Sequence, residues 1–332
     1  MKKMWVFILS LLFLFSFSSV TKAKEIKRDE AFVNVSVATL WTEPNISRKL
    51  DAPSTSNPVD MKKWTAAMSY DEKLWLVGNL ETQALYGSKV TILEEQNGWV
   101  KVAVHDQPTP RNEKGYPGWM PKAQLSKSPS FSVLKEKRPF ALVTANTAPL
   151  FKDFAEKKKG IEISFNTRLP VLKEKKNKLL VYTPNSGAQW LRKSDASIYQ
   201  TEQDIPEPTA DDLIRSGKQF LGLPYLWAGM SGYGFDCSGF TYTLYKSHGI
   251  TIPRDSSVQA THGNPVKRED LQKGDLVFFA YEEGKGRVHH VGMYIGNGEM
   301  IHSPNTSTTV KIDKIETSGY GEEYAGARRY LR

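Results

Sequence analysis

A single cysteine, Cys237, is the feature that most limits how this chain of 332 residues can fold. One cysteine cannot form a disulfide within the chain, so hydrophobic cores must stabilise every domain. The chain is long enough for two or three domains, each with a core of its own. The sequence therefore predicts ordinary globular domains rather than a small scaffold held together by cross-links.

The N-terminus has the features of an export signal. Lysines follow Met1, an apolar run extends from Met4 to Val20, and the segment ends at the small residue Ala23. This order is typical of a secretory signal peptide over residues 1–23. An uncleaved anchor is the alternative, because the run is only slightly shorter than a membrane span. We expect a secreted or cell-wall-associated protein that contacts a membrane only through this signal.

The chain is basic along its whole length. Its net charge is +9; without the three lysines of residues 1–23 it keeps 42 basic residues against 36 acidic ones, or +6. Such a charge suits attraction to an anionic wall polymer. The basic residues are not gathered into an arginine-rich stripe with interleaved aromatic residues, which argues against nucleic acid as a partner. The sequence predicts no particular oligomeric state.

Residues 24–130 have the pattern of a small β domain. Apolar and polar residues alternate in runs such as Trp99–Val104, and Asn97–Gly98 supplies a hairpin turn before that run. Between the strands, apolar residues at helical spacing in Pro58–Gly78 predict one or two short helices. The prediction is a β domain with a helical insertion.

Residues 131–205 repeat the strand-rich pattern in a shorter form. Strand-like runs such as Lys178–Tyr182 alternate with turns, and Gly187–Leu191 matches the pattern of Gly118–Met120 in the first segment. This order of strands, turns and a glycine–tryptophan pattern resembles bacterial SH3-like domains, which are small barrels common in cell-wall proteins. The resemblance implies two SH3-like β-barrels in succession.

A third domain is expected over residues 206–332. Pro206–Pro208 has the composition of a linker. Ala210–Leu221 has the apolar spacing of an amphipathic helix, and a helix beginning at Cys237 follows it. Three strand-like runs come later, of which Val288–Ile295 is the longest, and they predict an antiparallel sheet. Helices followed by strands indicate an α+β fold.

Cys237 is expected at the start of a helix of about three turns, because apolar residues follow it at helical spacing and Gly249 marks the end. Unpaired N–H groups and the positive end of the helix dipole would then surround the sulfur. That environment favours the reactive thiolate. The alternative is a core cysteine that acts as a small hydrophobic residue.

A cysteine nucleophile needs a base and a group that orients the base. Three of the six histidines, His289, His290 and His302, lie in the strand-like runs after the cysteine. By strand alternation, His290 shares a face with Gly292, which leaves room for a substrate. A structural role in the sheet is the alternative for each histidine.

The register of the hairpin decides whether His290 and His302 can touch. A two-residue turn at Asn297–Gly298 would place His302 on the face away from His290. A three-residue loop, Gly296–Gly298, instead places His302 opposite Gly292 and diagonal to His290. We therefore predict the three-residue loop and a contact between the two histidines.

The last domain resembles the NlpC family of papain-like cell-wall endopeptidases. Motifs that occur in the family's order are Phe235–Phe240, Ile252–Ser257, Lys273–Phe279, and His290–Gly296 with Met300–His302. Carried over by position, the resemblance implies that Cys237 is the nucleophile, His290 the general base and His302 the residue that orients it. It also implies cleavage of murein peptides or peptidoglycan between the γ-carboxyl of D-glutamate and a diamino acid.

The resemblance assigns further substrate-binding residues. Tyr225, in the matching stretch Leu223–Trp227, would help the Cys237 backbone N–H stabilise the oxyanion; packing at the rim is the alternative, and Trp227 is a further candidate. The side chains expected to line the D-glutamyl pocket are Asp236, Ser238, Asp255 and Ser256. An ion pair with Arg254 is the alternative for Asp255.

Two SH3-like domains before such a domain resemble the γ-D-glutamyl-L-diamino-acid endopeptidases. In that subgroup the first SH3-like domain closes one end of the cleft, so the substrate begins with a free L-alanine amine. A buried amine needs a carboxylate or carbonyl partner. Glu81 and Tyr116 match the subgroup's pattern and are the candidates; a surface charge and a core aromatic are the respective alternatives.

Other functions remain open at this point. Related papain-like domains include amidases and acyltransferases, and Cys237, His290 and His302 alone do not choose between these reactions. A non-catalytic wall-binding protein is a further alternative. No metal or other cofactor is expected, because the isolated cysteine and scattered histidines lack the ligand spacing of a zinc site. Diaminopimelate and lysine are both possible at the third substrate position, as are polymeric wall and released peptides.

Overall fold

The computed structural model describes residues 29–332, which form three units, each built around an antiparallel sheet. The predicted signal peptide over residues 1–23 lies outside the described residues. No helix within residues 29–332 is long and apolar enough to cross a membrane.

The first unit is a seven-stranded sheet with the order β3-β2-β6-β5-β4-β1-β7. Its strands are β1 (Glu30–Val33), β2 (Val37–Trp41), β3 (Leu80–Leu85), β4 (Lys89–Gln96), β5 (Trp99–Val104), β6 (Tyr116–Pro121) and β7 (Leu125–Ser126). The predicted Asn97–Gly98 turn is confirmed: Gln96 pairs with Trp99, and both turn residues have positive φ. The predicted helical insertion is also present. Two helices lie in the predicted segment Pro58–Gly78, α2 (Met61–Ala67) and α3 (Tyr70–Leu74), and a further short helix that was not predicted, α1 (Ala52–Thr55), precedes them.

The second unit repeats this sheet with the order β10-β9-β13-β12-β11-β8-β14. Its elements are α4 (Pro129–Lys137), β8 (Phe140–Val143), β9 (Thr147–Phe151), β10 (Lys159–Ser164), β11 (Arg168–Lys175), β12 (Lys178–Thr183), β13 (Gly187–Arg192) and β14 (Ala196–Tyr199). Helix α4 was not expected from the sequence. It has Ser128 as its N-cap, and its Phe131 is fully buried in a hydrophobic cluster with strands of the second unit.

The third unit has helices first and a six-stranded sheet afterwards, so the predicted α+β fold is confirmed. Its first elements are α5 (Ala210–Lys218), β15 (Met230–Ser231), β16 (Gly234–Phe235), α6 (Cys237–Ser247) and α7 (Ser256–Gln259). The sheet strands are β17 (Asn264–Val266), β18 (Leu276–Ala280), β19 (Val288–Gly296), β20 (Glu299–His302), β21 (Lys311–Lys314) and β22 (Tyr324–Arg329), in the order β17-β22-β18-β19-β20-β21.

The first unit packs directly against the loop that leads to Cys237. Leu226 and Tyr233 of the third unit belong to the same hydrophobic cluster as Trp41 and Trp64 of the first. The side-chain oxygen of Gln83 in β3 accepts hydrogen bonds from the Met230 backbone N–H and the Ser231 hydroxyl, each at 3.0 Å. Burial of these apolar and polar contacts holds the first unit beside the N-terminus of α6.

Candidate active site

Cys237 is the first residue of helix α6, as its spacing predicts. Asp236 is the N-cap, and its carboxylate accepts a hydrogen bond of 2.6 Å from the Gly239 backbone N–H. Such a bond satisfies one of the donors that a helix N-terminus leaves unpaired. Gly239 is required here, because a Cβ atom at this position would lie 2.1 Å from the Gly229 carbonyl oxygen.

The hairpin that carries the two histidines differs from the prediction. Gly296 pairs with Glu299 across a two-residue turn, so the predicted three-residue loop is wrong. A β-bulge between Tyr294 and Gly296 then shifts the register by one residue, so that Tyr294 pairs with Met300. The bulge therefore restores the register that the longer loop would have produced.

His290 and His302 consequently lie on the same face and touch. The distance from His290 Nε2 to His302 Nδ1 is 2.8 Å, and both side chains are buried. His302 Nε2 lies 3.1 Å from a carboxylate oxygen of Asp313 on the neighbouring strand β21. The ring of Tyr320 stacks on His290 with centroids 4.3 Å apart. Sequence patterns did not identify Asp313 or Tyr320, because neither belongs to a strand that the alternation predicted.

Burial favours the neutral form of both His290 and His302. Burial lowers the pKa of His290 well below its ordinary value, and the neighbouring His302 and His289 act in the same direction. Burial also lowers the pKa of His302 to about 4, although its hydrogen bond with Asp313 acts in the opposite direction. A neutral imidazole can accept a proton, as a general base must.

The helix dipole alone would lower the pKa of the Cys237 thiol, but the surroundings of the thiol have the opposite net effect. Burial raises the pKa of the Cys237 thiol to about 12, and the negative charge of Asp236 adds to this effect. Arg254 and the backbone N–H groups of Ser238 and Val291 act in the opposite direction but do not outweigh burial. A thiol with a raised pKa keeps its proton in the substrate-free site, so a base must remove that proton. Because the Val291 backbone N–H interacts with the sulfur, the sulfur lies beside β19, the strand that carries His290.

A buried ion pair lies under the N-terminus of α6. The guanidinium of Arg254 is 2.6 Å from the Asp236 carboxylate, and it donates further hydrogen bonds of 3.0 Å to the hydroxyls of Ser238 and Thr82. Arg254 therefore pairs with Asp236, and the alternative pairing with Asp255 does not occur. Asp236 and Ser238 were predicted to bind substrate. Both line the cleft, but their side chains form hydrogen bonds within this structural network.

Glu81 and Tyr116 of the first unit meet Asp255 of the third. Arg111 donates to both carboxylate oxygens of Glu81, one of them at 2.7 Å, and to the Tyr116 hydroxyl at 3.1 Å. The Tyr116 hydroxyl lies 3.0 and 3.1 Å from the two carboxylate oxygens of Asp255. Burial raises the pKa of Asp255, against the opposing charge of Arg254. Sequence reasoning missed Arg111, which no local pattern connects with Glu81.

All the predicted site residues line one cleft of about 640 Å³ except His302, which lies behind His290. Tyr225 is buried in it, and burial raises the pKa of this phenol well above its ordinary value, so the phenol keeps its proton and can donate a hydrogen bond. The Trp227 indole N–H donates to the Leu80 carbonyl at 3.1 Å, which ties it to the first unit. Ser256 lies at the first turn of α7 and faces the same cleft.

A buried cysteine at the start of a helix, in one cleft with a histidine of an adjoining antiparallel sheet, is the arrangement of papain-like cysteine hydrolases. Sequence comparison narrows this class. Residues 222–329 match the NlpC/P60 family model, residues 143–199 the YKFC SH3b2 domain and residues 78–125 the bacterial dipeptidyl-peptidase Sh3 domain.

Individual relatives cover nearly the whole chain. The γ-D-glutamyl-L-lysine dipeptidyl-peptidase of Bacillus cereus is 57% identical over 333 residues, covering 100% of both chains. The protein of the same name from Bacillus subtilis is 41% identical and covers 88% of this chain and 96% of its own. The crystal structure of an NlpC/P60 family protein from Bacillus cereus has a TM-score of 0.89 at 58% identity, covering 91% of this chain and 100% of that one. The chain belongs to the NlpC/P60 family.

Proposed function

We propose that this protein is a cysteine endopeptidase that cuts the bond between γ-D-glutamate and an L-diamino acid in murein peptides with a free N-terminal L-alanine. The observation that carries the proposal is one cleft that holds Cys237 and His290 together with the Glu81–Tyr116–Asp255 group. The names of the two Bacillus relatives, γ-D-glutamyl-L-lysine dipeptidyl-peptidase, support the same bond.

A protonated Cys237 thiol and a neutral His290 imidazole are the starting states for cleavage of the peptide bond. His290 accepts the proton of the Cys237 thiol as the sulfur attacks the γ-carbonyl carbon. The negative charge moves to the carbonyl oxygen, where the Cys237 backbone N–H and the Tyr225 hydroxyl donate hydrogen bonds. His290 then protonates the leaving amine, and a thioester to Cys237 remains. A water molecule, deprotonated by His290, hydrolyses that thioester and restores the thiol.

The other end of the cleft suits a cation. Two carboxylates, Glu81 and Asp255, face it, while the guanidinium of Arg111 donates hydrogen bonds to Glu81 and Tyr116. Arg254 and Asp236 form an ion pair and add no net charge to this end of the cleft. The group therefore carries an excess of one negative charge, which an ammonium group can neutralise. Because this group spans two units of the chain, it also closes the end of the cleft and limits the substrate to peptides that begin there.

The proposed site of action is outside the cell. The predicted signal peptide and the net charge of +6 without it support export and attraction to the anionic wall. Membrane contact would be limited to the export signal. Murein peptides, whether released or still attached to the wall, are the proposed partners.

A substrate panel tests the proposed function. The purified protein is incubated with L-Ala-γ-D-Glu-diaminopimelate, L-Ala-γ-D-Glu-L-Lys and their N-acetylated forms, and the products are identified by mass spectrometry. We expect release of L-Ala-D-Glu from the free-amine peptides, little release from the acetylated forms, and none with Cys237→Ala. Cleavage at a bond other than the one between γ-D-glutamate and the diamino acid, or equal cleavage of the acetylated peptides, would refute the proposal.

A further inference from the structure

The side chain of Asp313 ends a chain of hydrogen bonds that leads to the proposed base. It lies on β21, where Asp313 pairs with Met300 and Lys311 pairs with His302, so Asp313 is diagonal to His302. Its carboxylate is 3.1 Å from His302 Nε2 and 2.8 Å from Lys311 Nζ. His302 Nδ1 is in turn 2.8 Å from His290 Nε2. Three side chains from adjacent strands are thereby connected in a row.

The Asp313 carboxylate, at one end of this row, fixes the direction of each hydrogen bond in it. Burial alone would raise the pKa of Asp313, but hydrogen bonds from Lys311 and His302 hold it below its ordinary value, so the carboxyl is ionised and only accepts. His302 must then carry its proton on Nε2. Because His302 is neutral, its Nδ1 accepts, and His290 must donate from Nε2. The unprotonated nitrogen of His290 is consequently Nδ1.

We propose that Asp313 is a positioning residue that, through His302, selects the tautomer of His290 with a free lone pair on Nδ1 for the proton of Cys237. Without the Asp313 carboxylate, either nitrogen of His302 can hold the proton. His302 could then donate to His290 Nε2 and drive the proton of His290 to Nδ1, where it would block proton transfer from the thiol. The inference rests on the proposed function, because a base is needed only if Cys237 is the nucleophile.

Nitrogen-15 NMR of the histidine rings tests the proposal independently of turnover. In wild-type protein near neutral pH, we expect His290 and His302 both to be protonated on Nε2, with Nδ1 shifts of the unprotonated type. Asp313→Ala should produce a mixture of tautomers at both rings. A wild-type protein with either histidine protonated on Nδ1, or unchanged tautomers in Asp313→Ala, would overturn the assignment.

Kinetics supply the second readout. For Asp313→Ala we expect kcat to fall roughly 10- to 100-fold, by analogy with the loss seen when the hydrogen-bond partner of a metal-ligating histidine is removed, with KM unchanged within about twofold. Asp313→Asn should recover part of kcat, because its amide oxygen can accept from His302 as the carboxylate does. Lys314→Met is the matched control: Lys314 is an exposed residue of the same strand, β21, lies outside the row of hydrogen bonds, and its replacement should keep wild-type kcat.

The two proposals fail in distinguishable ways. If the wild-type protein releases no L-Ala-D-Glu, the proposed function is wrong, while the tautomers still report on the hydrogen-bond row. If the wild type is active and Asp313→Ala retains its full kcat, the role of Asp313 is refuted and the proposed function stands. Thermal unfolding of each variant, monitored by circular dichroism, verifies that the change in kcat is measured on folded protein.

Discussion

Arg254 donates to the Asp236 carboxylate from a position that is 1% exposed, and Asp236 is the N-cap of the helix that begins with Cys237. The same guanidinium reaches Thr82 in the first unit, so one buried cation connects the nucleophile's helix with the domain that closes the cleft. The position of Cys237 thus depends on a side chain 17 positions further along the chain, in the stretch that precedes α7.

Loss of this cation should destabilise the fold strongly. Arg254→Met leaves the Asp236 carboxylate buried without its partner, and we expect the free energy of unfolding to fall by about 3–5 kcal/mol, the loss typical of a broken buried pair. Denaturant titration followed by circular dichroism measures it. Arg215→Met is the control, because Arg215 is 75% exposed in its ion pair with Asp212 and should cost less than about 1 kcal/mol. Equal, small losses in both variants would contradict the structural role of Arg254.

The pH profile should reflect the lowered pKa of His290. The base works only when neutral, and a pKa well below its ordinary value of 6.5 keeps it neutral into mildly acidic solution. We therefore expect kcat/KM for L-Ala-γ-D-Glu-diaminopimelate to hold from neutral pH down past 6.5 and to fall only at lower pH. Initial rates measured across this range locate the acidic limb. A limb centred at or above pH 6.5 would show that the imidazole is not shielded from water as the structure has it.

Alkylation of Cys237 should report a protonated thiol. Because burial raises the pKa of this thiol to about 12, reaction of the substrate-free protein with iodoacetamide should be slow at pH 7 and should still be accelerating above pH 9. Cys237 is the one cysteine, so the mass of the intact protein measures its modification directly. A rate that reaches a plateau at acidic pH would instead indicate a resting thiolate–imidazolium pair.

Recognition of the free amine should depend on Glu81. Glu81→Gln removes the charge that the ammonium group would meet, and we expect kcat/KM for free-amine peptides to fall about tenfold or more, since a hydrogen bond to a charged group contributes about 1.5–3 kcal/mol. The control is Glu95→Gln in the same unit, where the carboxylate pairs with Lys122 and both side chains are at least half exposed. Rates on N-acetylated peptides should not change. An equal loss on both kinds of peptide would assign Glu81 a structural role through Arg111.

Local sequence patterns predicted the elements that carry the site. Helical spacing after Cys237 and strand alternation around His290 depend on neighbours in the chain, and the structure has both elements where those patterns place them. The Asn97–Gly98 turn was predictable for the same reason. Recognition of the family added roles for Glu81 and Tyr116, which composition and periodicity alone could not have connected with a cysteine so far along the chain.

The remaining features depend on contacts between distant segments. The bulge at Tyr294–Gly296 places His302 correctly, but no residue type in that stretch requires it. The pKa of Cys237 depends on how completely the third unit and the first unit exclude water from it, which no pattern around the cysteine encodes. Arg254 and Asp313 acquire their roles from partners on other elements, so their significance is visible only in three dimensions.

The most direct test of Cys237 as the nucleophile is the mass of the peptide that contains it, measured during turnover. Wild-type protein is mixed with L-Ala-γ-D-Glu-diaminopimelate and quenched in acid within one turnover. It is then digested, and mass spectrometry gives the mass of the peptide that contains Cys237. We expect a thioester-linked L-Ala-D-Glu on Cys237 of the wild-type protein, and no product release by Cys237→Ala. Release of L-Ala-D-Glu by Cys237→Ala, with Cys237 unmodified throughout the wild-type reaction, would contradict that role of Cys237.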